Sequence, residues 1–155
     1  MGYSRGSEAA LLLADDYPTL IHGAVVYSPS AQVNPGFPSG PTAWTRGGRP
    51  VPAGTIPLNR VSGPVLAVAG ADDQLWSSPS WAREIAAEPT ADHGAQAHQA
   101  LVYPDAGHLV GTFPYLAEET ATTAPVGGTR AGDAAAQAAG WPRVLAMLHR
   151  IGAAG

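Results

Sequence analysis

Apolar residues along this chain form short continuous runs that alternate with stretches of helical pattern. Three runs rich in β-branched residues are typical of strands buried on both faces of a parallel sheet, at 21–27, 64–69 and 99–103. Stretches rich in alanine and other helix-favouring residues predict helices, at 7–14, 79–88 and 131–151. The alternation indicates an α/β fold with about three parallel strands, flanking helices and a long C-terminal helix. On that last helix, Trp141, Leu145 and Leu148 have the i, i+4, i+7 spacing of a core-facing stripe.

The segment 28–62 breaks this pattern, because prolines and glycines interrupt it repeatedly and no periodicity lasts. A long stretch of this kind inside a compact domain is typical of a functional loop or a disordered segment. We interpret it as a loop over an active-site mouth, with Phe37 and Trp44 as candidate pocket-lining residues. The alternative is a surface loop whose two aromatic side chains pack against the body of the domain.

Composition limits the classes of protein that fit the sequence. A chain of 155 residues is long enough for one domain with a sizeable core. The net charge of −4 argues against a nucleic-acid surface, and the absence of cysteine excludes disulfides, thiolate metal sites and a cysteine nucleophile. No apolar run approaches the roughly 18 residues of a membrane span, and no signal-peptide pattern opens the chain. We therefore expect a cytoplasmic protein that uses no metal and no cofactor.

A G-x-S-x-G pattern opens the chain, where Gly2-Tyr3-Ser4-Arg5-Gly6 leads directly into the first predicted helix. In a nucleophile elbow the serine occupies a sharp strand-to-helix turn, and a side chain at either glycine is expected to collide with the neighbouring strand or helix. The turn leaves the hydroxyl at the N-terminal end of a helix, which favours developing negative charge. Because the motif begins one residue after Met1, we expect the strand that feeds the elbow to be missing.

Two further residues complete the constellation of a serine hydrolase. Asp73 follows the second predicted strand and His108 follows the third, so both are expected at the carboxyl edge of the sheet beside Ser4. The order serine, acid, histidine along the chain is that of α/β-hydrolases. Asp72 competes with Asp73 for the role of the acid. The other histidines do not follow a strand and a turn of small residues, and they remain alternatives to His108: His22, His93, His98 and His149.

These motifs resemble a known family, the C-terminal catalytic region of the acyl-CoA thioesterases related to bile acid-CoA:amino acid N-acyltransferase. The resemblance runs over nearly the whole chain. Its most specific stretches are Asp72-Asp73-Gln74-Leu75-Trp76 and Gly107-His108-Leu109, and it also covers Gly2 to Glu8, Val25 to Ser30, Pro114-Tyr115, and Gly127-Gly128-Thr129 with Gln137 and Trp141. It implies the C-terminal half of an α/β-hydrolase fold, with 1–155 as a single truncated domain. The family's nucleophile, acid and base fall on Ser4, Asp73 and His108.

The resemblance also implies an activity. It is that of an acyl-CoA thioester hydrolase working through an acyl-serine, with acyl-CoA as substrate and the backbone N–H of Arg5 as one oxyanion donor. The family's second donor comes from a loop after an early strand that residues 1–155 do not include. Most members carry lysine at the position of Arg5, a difference that leaves the backbone N–H intact. The candidate substrate-binding residues are Trp44, Trp76 and Tyr115.

Three alternative interpretations remain open at this point. In the first, the chain is a catalytically incomplete piece of such an enzyme, because one oxyanion donor and the first half of the hydrolase sheet lie outside it. In the second, it is a carboxylesterase or dienelactone-type hydrolase on the same fold. In the third, it is an acyl-CoA:amino acid N-acyltransferase, although that branch is associated with a cysteine nucleophile and Ser4 favours hydrolysis.

Overall fold

The structure is a computed structural model that describes residues 1–89, 98–111 and 125–153. Its elements are, in chain order, β1 (Gly2–Tyr3), α1 (Arg5–Asp16), β2 (Ala24–Tyr27), β3 (Gln32–Val33), β4 (Thr45–Arg46), β5 (Arg49–Pro50), β6 (Gly54–Thr55), β7 (Val65–Gly70), α2 (Ser78–Ala87), β8 (Gln99–Tyr103) and α3 (Arg130–Ala153). A single 3-10 turn, His108–Val110, follows β8. Within these ranges no helix combines the length and the apolar character that a membrane crossing requires.

The main sheet has four parallel strands in the order β1-β2-β7-β8. Its three longer strands are the three apolar runs of the sequence. The fourth is β1, in which Gly2 pairs with Val26 and Tyr3 with Tyr27. The expectation that the strand feeding the elbow is missing is therefore wrong for its last two residues. Two residues are too few to produce a periodic pattern, so β1 is visible only through its pairing with β2.

Helices cover both faces of this sheet, and alternate residues of each strand divide between the two layers. Ala24 and Val26 point into a core that also contains Leu11 of α1 and Ile85 of α2. Val25 and Tyr27, the neighbours of those strand residues, point into a second core with Val144 and Met147 of α3. Both cores consist of fully buried or nearly buried side chains. Strands covered on both sides are typical of parallel α/β sheets and account for the continuous apolar runs.

The buried stripe of α3 differs from the predicted one. Leu145 is 40% exposed, so the prediction that it faces the core is wrong. Trp141 and Leu148 lie at the margin of the core and are partly buried. The buried positions of the helix are Asp133, Ala136, Gln137, Gly140, Val144 and Met147. Small and polar residues make up much of this stripe, and a pattern search for large apolar residues does not detect them.

The segment 28–62 packs on α1 through its few apolar residues. Two short antiparallel pairs organise it, β3 with β6 and β4 with β5. The β4–β5 hairpin turns through Gly47 and Gly48, both at positive φ, the geometry that two-residue hairpin loops prefer. Val33, Ile56, Leu58 and Val61 are buried in the core on the α1 side of the sheet. Phe37 is 89% exposed, contrary to both interpretations of its ring.

Candidate active site

Ser4 connects β1 to α1 in a conformation that L-residues rarely adopt. Its φ is 53° and its ψ is −122°, and a non-glycine residue in such a region costs of order 1–3 kcal/mol unless its surroundings fix it. The serine N–H donates to the carbonyl of Tyr27 at 2.9 Å. The serine carbonyl accepts from the N–H of Ser7 at 2.9 Å and from the Ser7 hydroxyl at 2.6 Å. The elbow is thus fixed on one side by the sheet and on the other by the first turn of α1.

The two glycines of the G-x-S-x-G motif are not equivalent. A Cβ on Gly2 would lie 2.1 Å from the carbonyl oxygen of Gly6, so only glycine fits there without movement of the backbone. A Cβ on Gly6 would meet no atom within 4 Å. The expectation that a side chain at either position would collide is therefore correct for Gly2 and wrong for Gly6.

Asp73 lies in the turn between β7 and α2, and its side chain is fully buried. One carboxylate oxygen, Oδ1, accepts the backbone N–H groups of Leu75 at 2.9 Å and Trp76 at 3.2 Å. The other oxygen, Oδ2, accepts from the Ser78 hydroxyl and lies 2.8 Å from Nδ1 of His108. Each oxygen has two partners, so the carboxylate is fixed in position without a cation beside it.

His108 starts the 3-10 turn after β8 and is 3% exposed. Its Nε2 lies 2.9 Å from Oγ of Ser4, on the opposite side of the ring from Asp73. Because a carboxylate can only accept, Nδ1 carries the proton of the neutral ring and Nε2 is free to accept from the serine hydroxyl. The structure thus brings Ser4, His108 and Asp73 into one continuous hydrogen-bonded chain.

The competing acid and histidines lie elsewhere. Asp72 accepts from the N–H of Gly128 at 2.8 Å and from Gln74, and these bonds hold the pKa of its carboxyl below the usual value. His98 lies at the start of β8, the opposite end of that strand from His108, where burial lowers its pKa. His22 precedes β2 and His149 lies on α3, away from the carboxyl edge of the sheet. His93 is outside the described residues.

The predicted substrate-binding residues occupy different surroundings. Trp76 packs edge-on against the His108 ring with 5.6 Å between the ring centroids. Trp44 instead donates its indole N–H to Glu8 at 2.8 Å. It also lines a cleft of about 270 Å³ beside α1, with Ala9, Leu12, Leu13 and Val51 among its neighbours. Tyr115 lies outside the described residues. Among the three, only Trp76 is seen in contact with the serine, aspartate and histidine cluster.

Sequence reasoning missed three side chains around this cluster. Tyr3 packs on the His108 ring at 5.5 Å, and Ser28 donates a hydrogen bond to the His108 carbonyl. Glu8 is fully buried and accepts from Asn34 and Trp44, with the Arg5 guanidinium 3.6 Å away. Glu8 lies in the first turn of α1, four residues after the N-cap residue Ser4, and this spacing is the one signal in the sequence that could have identified it.

Across 1–89, 98–111 and 125–153, no three histidine or acidic side chains are grouped as metal ligands. The cluster itself presents a serine hydroxyl, an imidazole and a carboxylate. A serine hydroxyl that donates to an imidazole oriented by a carboxylate is the arrangement of an acyl-transfer nucleophile.

Comparison with known proteins places the chain in a family. The family model described as BAAT / Acyl-CoA thioester hydrolase C terminal matches residues 46–153, a range that includes Asp73 and His108 and leaves Ser4 outside it. The chain is similar to acyl-coenzyme A thioesterase 6 of Homo sapiens, with 30% identity over 102 residues. It is also similar to acyl-coenzyme A thioesterase 6 of Mus musculus, with 35% identity over 102 residues.

A third relative is the peroxisomal succinyl-coenzyme A thioesterase of Mus musculus, 40% identical over 55 residues that make up 36% of this chain and 13% of the relative. Each match to thioesterase 6 covers 61% of this chain and 24% of the relative. The matched part of the chain therefore spans about a quarter of the length of those two proteins. Since the family model covers more than half of its residues, the chain belongs to the BAAT / acyl-CoA thioester hydrolase family, in its C-terminal region.

Proposed function

We propose that this chain carries the catalytic triad of a serine thioesterase of α/β-hydrolase fold that hydrolyses acyl-CoA to a carboxylic acid and coenzyme A. The observation that supports it is the pair of hydrogen bonds from Ser4 Oγ to His108 Nε2 and from His108 Nδ1 to Asp73 Oδ2, 2.9 and 2.8 Å long. The family match to 46–153 supports the thioester as substrate class. The elbow after β1 supplies Ser4, and the ends of β7 and β8 supply Asp73 and His108, in the chain order of the α/β-hydrolases.

In the proposed acylation step, His108 takes the proton of the Ser4 hydroxyl as the oxygen attacks the thioester carbonyl. Asp73 holds the imidazole in the tautomer with the proton on Nδ1 and stabilises the imidazolium that forms. The tetrahedral intermediate then collapses with loss of the thiolate of coenzyme A, which takes the proton from His108. The product of this step is an acyl ester on Ser4.

The oxyanion of that intermediate is expected next to the first turn of α1. Backbone N–H groups in a first helical turn have no partner inside the helix, and the helix dipole favours negative charge there. We assign the N–H of Arg5 as one oxyanion donor, because it directly follows the nucleophile in the elbow. Loss of a single oxyanion donor raises the barrier by about 2.7–4 kcal/mol in other hydrolases, so a second donor matters for full activity.

Deacylation repeats the first step with water as the nucleophile. His108 takes a proton from the water as it attacks the acyl ester, and returns that proton to Oγ of Ser4 as the ester bond breaks. The N-acyltransferase branch that the sequence resembles is associated with a cysteine nucleophile. Serine rather than cysteine at position 4 therefore favours hydrolysis over transfer to an amino acid.

The test is thiol release from a panel of acyl-CoAs, with p-nitrophenyl esters of matching chain length as the second arm. Ser4→Ala and Ser62→Ala are compared with the natural chain, since the exposed Ser62 hydroxyl donates to the carbonyl of Pro18, away from the site. Thioester turnover that disappears in Ser4→Ala alone supports the proposal. Turnover of esters without thioesters favours the carboxylesterase alternative, and equal turnover in the natural chain and Ser4→Ala contradicts the triad.

A further inference from the structure

The backbone carbonyl of His108 accepts two side-chain hydroxyl groups. Oγ of Ser28 donates to it at 2.5 Å, and the phenolic hydroxyl of Tyr3 donates at 3.1 Å. Neither residue takes part in the proposed proton transfers. Both are distant from His108 in sequence, Ser28 by 80 residues and Tyr3 by 105. The carbonyl that belongs to the catalytic histidine is therefore fixed by β1 and by the residue that follows β2.

Ser28 forms hydrogen bonds with three segments that build the site. Its N–H donates to Val68 of β7 at 2.8 Å, the strand that leads to Asp73. Its carbonyl accepts the indole N–H of Trp76 at 3.0 Å, from the turn that holds Asp73. The fully buried Ser28 thus contacts β7, the turn that carries Asp73 and the carbonyl of His108. It also directly follows Tyr27, whose carbonyl binds the N–H of Ser4.

The backbone of Ser28 has a conformation that L-residues rarely adopt. Its φ is 41°, and Ser4 is the one other non-glycine residue with positive φ in the described part of the chain. Such conformations persist where the surroundings hold them, and they cluster at functional sites. Ser28 is neither glycine nor asparagine, the residues that adopt positive φ most readily, and its hydroxyl donates to the backbone of His108. These two observations together indicate a functional role for this residue.

We infer that Ser28 is a positioning residue for His108, with Tyr3 as its weaker partner. This inference rests on the proposed function of the triad. The two hydroxyls fix the peptide from which the imidazole projects, so that Nε2 stays within hydrogen-bonding distance of Ser4 while Nδ1 stays on Asp73. The rings of Tyr3 and Trp76 restrict the imidazole itself from two sides. Displacements of about 1 Å in a reacting group can cost a hundredfold in rate, so the constraint has a direct kinetic consequence.

Two variants at position 28 separate the hydroxyl from the backbone strain. Ser28→Ala removes the hydroxyl and keeps a Cβ at positive φ, whereas Ser28→Gly removes the hydroxyl and relieves the strain. Tyr3→Phe removes the second hydroxyl and keeps the ring. Ser62→Ala is the matched control, because its hydroxyl also donates to a backbone carbonyl, that of Pro18, at an exposed place away from the site.

The first readout is kinetic and is made on the full chain. We expect kcat for thioester hydrolysis to fall about fivefold to tenfold in both Ser28 variants, and less in Tyr3→Phe, with KM nearly unchanged. The same order is expected for the rate at which a fluorophosphonate probe labels Ser4. Ser62→Ala is expected to match the natural chain in both. If Ser28→Gly is as active as the natural chain, the hydroxyl has no positioning role and the inference is overturned.

The second readout does not depend on turnover. The downfield proton resonance of His108 Nδ1–H reports its hydrogen bond to Asp73, and we expect it to shift or broaden in Ser28→Gly and to stay unchanged in Ser62→Ala. A chain that hydrolyses no acyl-CoA but shows this change contradicts the proposed function and supports the positioning role. An identical resonance in Ser28→Gly and the natural chain contradicts the positioning role, whatever the activity.

Discussion

Asp73 and His108, the proposed acid and base, are held in different ways. Asp73 takes three of its four hydrogen bonds from residues two, three and five positions further along the chain, Leu75, Trp76 and Ser78. The turn that carries His108 is held from far away, by Tyr3, Ser28 and Val126, and by Asp133 through the N–H of Gly107. The carboxylate of Asp73 is therefore held mostly within its own turn, whereas the turn of His108 is held mostly by residues that are distant in sequence.

This difference predicts how each turn responds to substitutions elsewhere in the molecule. A local turn fixes its carboxylate wherever the strand before it ends, so it tolerates change in the rest of the molecule. A turn held by distant residues transmits any shift of those residues to the imidazole. We therefore expect substitutions of the acid turn to act on chemistry with little loss of folding, and substitutions of the base turn's supports to affect both.

The largest expected effect comes from Asp73→Asn. An amide can still accept the N–H groups of Leu75 and Trp76, so the turn should persist, but it no longer favours the reactive imidazole tautomer. We expect kcat to fall about 10³- to 10⁴-fold with the melting temperature nearly unchanged. Asp72→Asn is the control, since Asp72 faces Gly128 rather than His108. Equal losses in the two variants would show that the acid has been assigned to the wrong carboxylate.

Gly70→Ala should come next, as a loss of stability. A Cβ at position 70 would lie 2.3 Å from the carbonyl oxygens of both Ala106 and Gly107, where the end of the acid's strand touches the base turn. We expect the free energy of unfolding in urea to drop by about 1–3 kcal/mol or more, because backbone must move on both sides. Gly6→Ala, on α1 with open space at its Cβ, should instead gain up to about 1 kcal/mol. A stable Gly70→Ala protein would contradict the close backbone packing between the two turns.

A smaller effect on activity is expected from Ser78→Ala. The variant removes one of the two donors to Oδ2 of Asp73 and leaves the histidine as the other. One neutral hydrogen bond corresponds to a loss in kcat of about twofold to tenfold. Ser77→Ala is matched to it, because Ser77 is the N-cap residue of α2 and its side chain makes no capping bond. No difference between the two variants in kcat would remove Ser78 from the support of the acid.

The smallest expected effect is on the pH dependence of stability. It involves His98, which precedes β8 and bonds to the first residue of β7, at the edge of the sheet opposite the site. Its Nδ1 accepts the N–H of Val65 at 3.0 Å, and burial lowers its pKa from 6.5. Below pH 6.5 the unfolded chain therefore binds a proton that the folded chain does not, and the free energy of unfolding decreases as the pH falls. His98→Gln should flatten this dependence between about pH 7 and 5, as measured by urea unfolding, while His149→Gln on the exposed side of α3 should not. A retained slope in His98→Gln would assign the dependence to other groups.

The contrast also explains what could be predicted from the sequence. The strands β2 and β7 were predictable because burial on both faces leaves an unbroken apolar run, and the half-buried β8 still carries a short apolar run of its own. Asp73 was predictable as a candidate because its turn follows such a strand directly and its partners are close in sequence. By contrast, β1 was not predictable, because two residues carry no pattern and only pairing with Val26 and Tyr27 defines them.

Other features were hidden for the same physical reason. Nothing near Ser28 in the sequence indicates that its hydroxyl meets a carbonyl 80 residues later. The buried stripe of α3 relies on Gly140 and Ala136, whose small side chains do not register as hydrophobic periodicity although they allow close packing. The fold of 28–62 depends on two antiparallel pairs of two residues each, which prolines and glycines in the sequence obscure.

The hydrogen bond between Ser4 and His108 joins residues 104 positions apart in the chain. Closing so long a stretch is entropically costly, and contacts of this separation form late in folding. During synthesis the serine leaves the ribosome more than a hundred residues before its base does. Until then its hydroxyl is an ordinary alcohol with no partner to accept its proton. We therefore expect the proposed nucleophile to become reactive only after His108, which follows β8, has been added to the chain.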